Sequence, residues 1–359
     1  MFDEIVEQPE AKRLLEAAVA EGPAHAYLFH GPAGVGKTKT ALAFAAELLG
    51  DRGRVERGNH PDLYRLDPLG DQIRIDEIRT LRRDLHMRPF EAAWRVYVVV
   101  SAHLLNTEAA DALLKDLEEP PDYAVIVLVA DEVGPLPETI RSRCQLVPFT
   151  RLSERAVRAL VDGWAPGLPS ERATAIARVA GGRLDRAARL LDADAAARRD
   201  ELLGLARAVY ADPSFSTAAA ASRVLELVDE GAEPARERME KDLEWLDLSA
   251  KEAELRRRRT DLGAQREGVL EALEELQAWY RDLICVAVGA EEVAAHYDHL
   301  PQLREDASVE RIAGAERAVE VIRETWRSYE EFNLQPKLAL DALFVRLRQE
   351  LGSAVPAAV

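Results

Sequence analysis

The sequence of 359 residues contains only two cysteines, Cys144 and Cys285, and they lie far apart. A disulfide framework needs several cysteines and a zinc site needs C-x-x-C pairs, so the sequence predicts neither. It also contains no run of eighteen apolar residues, and no basic segment leads into an apolar stretch at residues 1–4. We therefore expect a cytoplasmic protein with no structural zinc and no membrane contact.

The sequence also contains fewer basic than acidic residues. Lysine and arginine total 47 against 64 aspartates and glutamates, for a formal net charge of -17. This balance argues against nucleic-acid binding over the whole surface, so any DNA contact must be local or supplied by partners. An apolar content of 48% and a charged content of 31% indicate a globular, helix-rich protein. The length predicts two or three domains.

The strongest motif is a glycine-rich stretch at residues 31–38 with the spacing G-x-x-x-x-G-K-T. It follows a short apolar run and precedes a helical pattern, as a phosphate-binding P-loop requires. Lys37 is predicted to neutralise the β- and γ-phosphates, and the Thr38 hydroxyl to bind Mg²⁺. The predicted site for ATP or ADP with Mg²⁺ consists of Gly31, Pro32, Ala33, Gly34, Val35, Gly36, Lys37, Thr38 and Thr40.

Residues 1–150 alternate strand and helix patterns. Apolar runs predict strands at 27–30, 63–66, 96–100, 124–130 and 145–149, and periodic segments predict helices at 9–20, 39–49, 75–85 and 107–119. The polar stretch 51–60 predicts a loop, and Gly134, Pro135 and Pro137 predict another before a helical turn at 139–143. We expect an α/β P-loop domain, with helices on both faces of a parallel sheet.

After residue 150 the strand patterns disappear. Ser153 is predicted to cap a helix, and glycines at 181 and 182 to separate two more. We expect a small helical lid at 151–198 and an all-helical domain at 199–359. Within the latter, residues 234–270 interleave acidic and basic side chains, including four arginines at 256–259. This pattern favours a long solvated helix or helical hairpin over a nucleic-acid patch.

Two longer motifs carry a family resemblance. Residues 107–121 read TEAADALLKDLEEPP and residues 136–144 read LPETIRSRC. With HAYLF at 25–29 and NHPD at 59–62, they resemble the signature blocks of bacterial clamp-loader subunits in the AAA+ family. WYRDL at 279–283 and NLQPKLAL at 333–340 are similar to the collar domain of the delta-prime type. The resemblance covers nearly the whole chain except about 234–270, which looks like an insertion, and implies an AAA+ domain, a lid and an oligomerising collar.

Catalytic residues of that family are missing. A hydrolysing subunit needs an acidic pair after the strand that follows the P-loop helix, one residue to hold Mg²⁺ and one to activate water. Here that strand runs into Ser101-Ala102-His103. Glu108 and Asp111 lie too far along the next helix, and we interpret His103 as a polar packing residue rather than a base.

The lid motif GGRLDRA at 181–187 also lacks a residue that active members of the family carry. Asp185 stands where the resemblance implies that active subunits carry an arginine touching the γ-phosphate. Arg183 and Arg186 are weaker candidates to replace it. The sequence thus predicts a phosphate-binding loop in a chain that hydrolyses ATP poorly or not at all.

One arginine of the family does remain. The resemblance implies that Arg143, in Ser142-Arg143-Cys144, is an arginine finger that reaches the ATP site of a neighbouring subunit. Its planar charge would stabilise the transition state there. The alternative is an arginine that forms an ion pair within its own domain. Arg141 is interpreted as a bracing residue. A basic cluster on the helix at 75–85 is a candidate for DNA phosphate contacts, although a solvated helix face explains it better: Arg79, Arg82 and Arg83.

The resemblance implies a delta-prime-like scaffold that assembles with gamma/tau and delta subunits. Through the complex it would act on the sliding clamp and primer-template DNA. A four-cysteine zinc module that such subunits often carry is missing from residues 51–60. The alternatives are an active gamma/tau-like AAA+ ATPase, a Holliday-junction helicase, and an autonomous P-loop kinase. The missing acidic pair argues against the active motors, and the all-helical second half against the kinase.

Overall fold

A computed structural model describes residues 2, 4–131, 136–245, 249–332 and 334–352. Gly134 and Pro135 of the predicted loop, and Asn333 of the collar motif, lie outside the described residues. Contacts divide the chain into two units, Met1–Leu160 with Gly181–Arg186, and Val161–Ala180 with Ala187–Val359. The domain boundaries at residues 150 and 198 stay predictions.

The first unit is built on a parallel five-stranded sheet with the order β2-β3-β4-β1-β5. Its strands are β1 (Ala26–His30), β2 (Leu63–Leu66), β3 (Arg95–Val99), β4 (Ala124–Ala130) and β5 (Gln145–Pro148). Its helices are α1 (Pro9–Glu21), α2 (Lys37–Leu49), α3 (Arg52–Glu56), α4 (Ile75–Leu85), α5 (Thr107–Glu118) and α6 (Glu138–Arg141), and α7 (Glu154–Trp164) crosses the unit boundary. The predicted α/β fold is confirmed.

Alternate residues of each strand pack on opposite faces of the sheet. On one face Phe29 and Val127 join a cluster with Phe44 of α2 and Leu15 of α1. On the other, Leu28 lies in a cluster with residues of α4 and α5. Because both faces are covered, the strands are apolar at nearly every position, which is why their runs were recognisable in the sequence.

The loop predicted at residues 51–60 is wrong in part, since this stretch begins with the short helix α3. The Asp51 carboxylate accepts a hydrogen bond from the backbone N–H of Arg54 at 3.0 Å and so caps the helix. Val55 is buried against the rest of the core. One buried apolar side chain among polar neighbours leaves no periodic pattern to detect.

Two residues before α1 bind the chain that follows the sheet. Gln8 is buried, and its side chain donates to the carbonyl oxygen of Thr150 at 2.7 Å and accepts from the Thr150 N–H at 3.0 Å. The Glu7 carboxylate accepts from the N–H and hydroxyl of Ser153 at 2.9 and 2.6 Å. Ser153 in turn caps α7, as predicted, through a bond from the N–H of Ala156. Strand β5 and α7 are thereby tied to the segment before α1.

The described residues of the second unit form helices joined by turns, with no strand among them. It contains α8 (Ser170–Val179), most of α9 (Leu184–Leu191), α10 (Ala193–Ala211), α11 (Thr217–Trp245), α12 (Ala250–Ala287), α13 (Leu300–Asp306), α14 (Val309–Phe332) and α15 (Pro336–Leu351). Its core is formed by α10, α11, α12, α14 and α15 and includes Trp279, Tyr280 and Phe344.

The charged stretch at 234–270 forms parts of α11 and α12, which pair as an antiparallel hairpin. Arg236 bonds to Asp261 at 2.8 Å, and Arg257 bonds to Glu240 at 2.6 Å. Closer to the core, the two helices come near enough that a methyl group at Gly268 would lie 2.7 Å from the Val228 side chain. Interleaved charges therefore serve cross-helix pairing, and of the two predicted forms, a long helix or a helical hairpin, the structure has the hairpin.

A buried polar network lies beside Trp279 in this unit. The His296 side chain is fully buried, with Nδ1 2.8 Å from Oδ2 of Asp282 and Nε2 2.9 Å from Oε2 of Glu275. Arg199 bonds to the same Glu275 oxygen at 3.3 Å. The His296 ring therefore lies between two carboxylates, with one ring nitrogen facing each of them.

Candidate nucleotide and subunit-contact sites

The glycine-rich loop at 31–36 joins the carboxyl end of β1 to the first turn of α2. Gly31, Gly34 and Gly36 have φ angles of 140°, 71° and 92°. A methyl group at Gly31 would lie 2.2 Å from the backbone oxygen of Phe149, so no other residue fits there. The thirteen-residue helix α2 begins at Lys37 and directs its free N–H groups towards this loop. This geometry suits a phosphate group.

The Lys37 side chain is buried within the loop and does not extend into solvent. Its side chain is 3% exposed, and its ammonium donates to the carbonyl oxygens of Gly31, at 2.9 Å, and Pro32. The third partner is the Asp131 carboxylate at 2.7 Å. Burial lowers the pKa of the Lys37 ammonium, and Asp131 opposes that effect.

Asp131 is a site residue that sequence reasoning missed. It is the first residue after β4, the strand beside β1, and its N–H donates to Nδ1 of His103 at 3.2 Å. The only signal for it was an acidic residue directly after a buried strand, at the sheet edge where parallel strands place their ligands. His103 therefore contacts the loop that carries Asp131, in line with its interpretation as a polar packing residue.

The lid motif also reaches the P-loop, and both belong to the same unit. The N–H of Leu184 donates to the carbonyl oxygen of Gly34 at 2.7 Å. Asp185 lies so close that a methyl group at Gly34 would be 1.7 Å from its Oδ1. Arg183 forms an ion pair with Asp185 at 2.8 Å. The position predicted to lack the family arginine thus carries negative charge beside the loop.

The other predicted cofactor residues lie along the same loop and the first turn of α2. Thr38 is half-buried directly after Lys37, and Thr40 is buried with its hydroxyl donating to the carbonyl oxygen of Gly36 at 3.0 Å. Val35 is buried in the core, while Pro32 and Ala33 are half-buried in the turn. Backbone donors, Lys37 and Thr38 are the groups that would hold a nucleotide phosphate and its Mg²⁺.

Glu108 and Asp111 are exposed on α5. Among the described residues, no three or more histidine, cysteine or acidic side chains are grouped so that they could hold a metal ion. The expectation of no zinc stays a prediction. None of the described helices has the length and apolar character needed to cross a membrane.

Arg143 lies just after α6 and is paired within its own chain. Its guanidinium donates to the Glu118 carboxylate at the end of α5 and to the carbonyl oxygen of Thr139 at 2.7 Å. The two side chains of the ion pair are 32% and 49% exposed. Burial raises the pKa of the neighbouring Cys144 thiol to about 12, so this cysteine is a neutral packing group. Arg141 pairs with Glu138 at 3.0 Å, consistent with a bracing role.

The basic cluster on α4 is bound by neighbouring side chains. Arg82 is 2.7 Å from the buried Asp116 of α5, and Arg79 is 3.2 Å from Asp76. Arg83 donates to the Thr80 hydroxyl at 3.0 Å. Together with His86 they line a shallow groove on the first unit. These contacts favour the interpretation of α4 as a solvated, internally braced face.

A glycine-rich loop between strand β1 and helix α2, in a parallel sheet with helices on both faces, is the arrangement of a P-loop α/β domain. Residues 7–153 match the family profile described as "DNA polymerase III, delta subunit". The chain is 34% identical over 163 residues to the delta-prime subunit of DNA polymerase III from Bacillus subtilis, covering 42% of this chain and 50% of that protein. It is 31% identical over 209 residues to the tau subunit of the same organism, covering 53% of this chain and 37% of that protein.

A solved structure of a gamma-subunit-related protein from Thermotoga maritima covers 95% of this chain and 99% of its own, with 20% identity and a TM-score of 0.45. That likeness is too low to bear on function. The chain spans half or less of the length of the two curated relatives. The region at residues 7–153 is therefore similar to DNA polymerase III subunits of the delta, delta-prime and tau types.

Proposed function

We propose that this protein is a delta-prime-like subunit of the bacterial DNA polymerase III clamp loader. It assembles with gamma/tau and delta subunits and supplies Arg143 to the ATP site of its neighbour. Through the complex it acts in ATP-dependent loading of the sliding clamp on primed DNA. One observation carries the proposal: the chain keeps the arginine of the Ser142-Arg143-Cys144 turn but has Ser101-Ala102-His103 where a hydrolysing subunit needs carboxylates.

The ion pair of Arg143 with Glu118 is compatible with this role. Exposed pairs of this kind contribute about 0–1 kcal/mol, so releasing the guanidinium to a partner costs little. A γ-phosphate in a partner's site carries more charge than one carboxylate and accepts the planar guanidinium in the same two-pronged way. Glu118 then acts as the resting partner of Arg143 in the free subunit.

The test is reconstitution of the loader with the gamma/tau and delta subunits of the source bacterium. We expect Arg143→Ala to leave assembly intact and to lower DNA-stimulated ATP turnover per assembled complex at least about tenfold, since an arginine finger contributes about 10³–10⁵ at its own site. Arg143→Lys should restore little, because an ammonium lacks the planar fork. Arg141→Ala, on the same turn, is the control and should behave as wild type. Lost assembly with normal turnover in the remaining complex would show a structural role for Arg143.

A second assay distinguishes the proposed scaffold from an active ATPase and from a kinase. The pure chain should hydrolyse ATP far more slowly than about one per second, the range of ordinary enzymes. A turnover near that value would favour an active gamma/tau-like ATPase, and transfer of phosphate to a small acceptor would favour a kinase. Either result would contradict the proposed scaffold role.

A further inference from the structure

We propose that Asp131 acts as an internal substitute for nucleotide phosphate, holding Lys37 within the P-loop and setting how tightly this chain binds ATP or ADP. This inference rests on the P-loop being the nucleotide site of the proposed function. It concerns the isolated chain and does not depend on subunit assembly.

The hydrogen-bonding capacity of Lys37 is fully used within the chain. An ammonium has three donors, and they are taken by the oxygens of Gly31, Pro32 and Asp131. A phosphate oxygen can bind Lys37 only by displacing one of these partners. All three bonds have a charged donor, but only the bond to Asp131 also has a charged acceptor, and it is therefore the strongest of the three. Nucleotide binding thus competes directly with Asp131.

The sheet holds Asp131 in place. In the register of β1 with β4, His30 lies beside Ala130, so the next residues, Gly31 and Asp131, leave the sheet side by side. The hydrogen bond from the Asp131 N–H to His103 at 3.2 Å fixes the backbone at that point. The carboxylate is therefore presented to Lys37 by two adjacent buried strands and not by a freely moving loop.

A second carboxylate adds to the effect. Asp185 lies against Gly34 in the middle of the loop, and the backbone bond from Leu184 to Gly34 holds it there. Asp131 and Asp185 therefore place carboxylates at two points of the loop that would surround phosphate, and Arg183 partly offsets the charge of Asp185 through their ion pair at 2.8 Å. A carboxylate close to a bound di- or triphosphate weakens its binding, because the two charges have the same sign.

An alternative role for the Asp131 carboxylate predicts the opposite change in nucleotide affinity. Beside Thr38, Asp131 could help to bind the Mg²⁺ that accompanies a nucleotide, because carboxylate and hydroxyl oxygens suit that ion. In that case removal of its charge weakens Mg²⁺-dependent binding. The sign of the change in affinity therefore separates the two roles.

The experiment is calorimetric titration of the full chain with ADP and with ATP, each with and without Mg²⁺. We expect Asp131→Asn to bind both nucleotides about ten- to a hundredfold more tightly than wild type, the range that one charge-assisted hydrogen bond represents. Asp111→Asn, which removes an exposed carboxylate from the same domain, should leave the affinity unchanged. In a Lys37→Ala background the gain should vanish, because the competition acts through Lys37.

Weaker binding by Asp131→Asn in the presence of Mg²⁺ would overturn the proposal in favour of the metal-binding role. Unchanged affinity, or no detectable binding by either protein, would also overturn it, since Asp131 would then not limit binding. Asp131→Ala is measured in parallel, and thermal unfolding without nucleotide checks that each variant is folded. Loader assembly of the same variants is measured separately, so a failed clamp-loader role remains distinguishable from a failed role for Asp131.

Discussion

His296 offers a sharp test of how the second unit is stabilised. Replacing it with alanine removes the ring that lies between two carboxylates and leaves Asp282, which is fully buried, without its side-chain partner at 2.8 Å. Asp282 keeps the bond from the backbone N–H of residue 296, at 2.7 Å, and the bond from Arg281, which is half exposed. The loss also opens space beside Trp279, whose ring centroid lies 5.7 Å from that of His296.

The expected cost of His296→Ala is large because the buried Asp282 carboxylate loses its side-chain partner. Breaking a buried ion pair by removing one partner costs about 3–5 kcal/mol. For a unit of this size, each kcal/mol lowers the melting temperature by about 2–4 °C, so we expect a decrease of about 6–20 °C in the transition of the second unit.

His299 supplies the matched control. It also lies near Trp279, at 6.1 Å between centroids, but it is more exposed and bonds to the exposed Asp200 at 3.1 Å. His299→Ala should therefore cost less than about 1 kcal/mol. Urea titration followed by far-ultraviolet circular dichroism and tryptophan emission measures both variants. Equal, small losses for the two histidines would refute the argument that the network stabilises the unit.

Two further predictions follow from the same physical reasoning. Burial alone would raise the pKa of the Asp282 carboxyl, but the bonds and charge from His296 outweigh it and the net pKa is lowered. The stability that Asp282 contributes should be complete above the ordinary aspartate pKa of about 3.9 and be lost as the pH falls through the lower folded value. The difference in unfolding free energy between wild type and His296→Ala should therefore shrink in acid, and a constant difference would contradict this. In the first unit, Gly31→Ala should lower the free energy of unfolding by about 2–6 kcal/mol, through backbone strain and the clash with Phe149. Gly50→Ala should lower it by about 1–2 kcal/mol, because Gly50 has a left-handed backbone but open space around it. Denaturant midpoints compare the two, and equal losses would show that the close approach to Phe149 is unimportant.

Much of the first unit could be predicted because its signals are local. The strands β2 and β4 and the helix α4 have the predicted bounds, since buried parallel strands are uniformly apolar and α4 has an apolar stripe. Strand β3 begins and ends one residue earlier than predicted. The P-loop was readable from glycine and lysine spacing alone.

The residues that occupy the site could not be predicted in the same way. The contact of Asp131 with Lys37 depends on β4 lying beside β1, and strand order leaves no trace in the pattern of a single strand. His296 and Asp282 meet through the packing of a turn on α12, and a lone histidine in a polar segment gives no periodic signal. Arg143 was recognised by its motif, but its pairing with Glu118 required the fold.

The hydrogen bonds between Gln8 and Thr150 bear on the tendency of the protein to aggregate. β5 lies at an edge of the sheet, and an open edge can recruit strands from other molecules. The Gln8 amide meets both the N–H and the carbonyl of Thr150, as a residue of an adjoining strand would. One side chain therefore shields the end of this edge from intermolecular pairing. Trimming or tagging that disturbs residues 7 and 8 should be judged by aggregation as well as by loader activity.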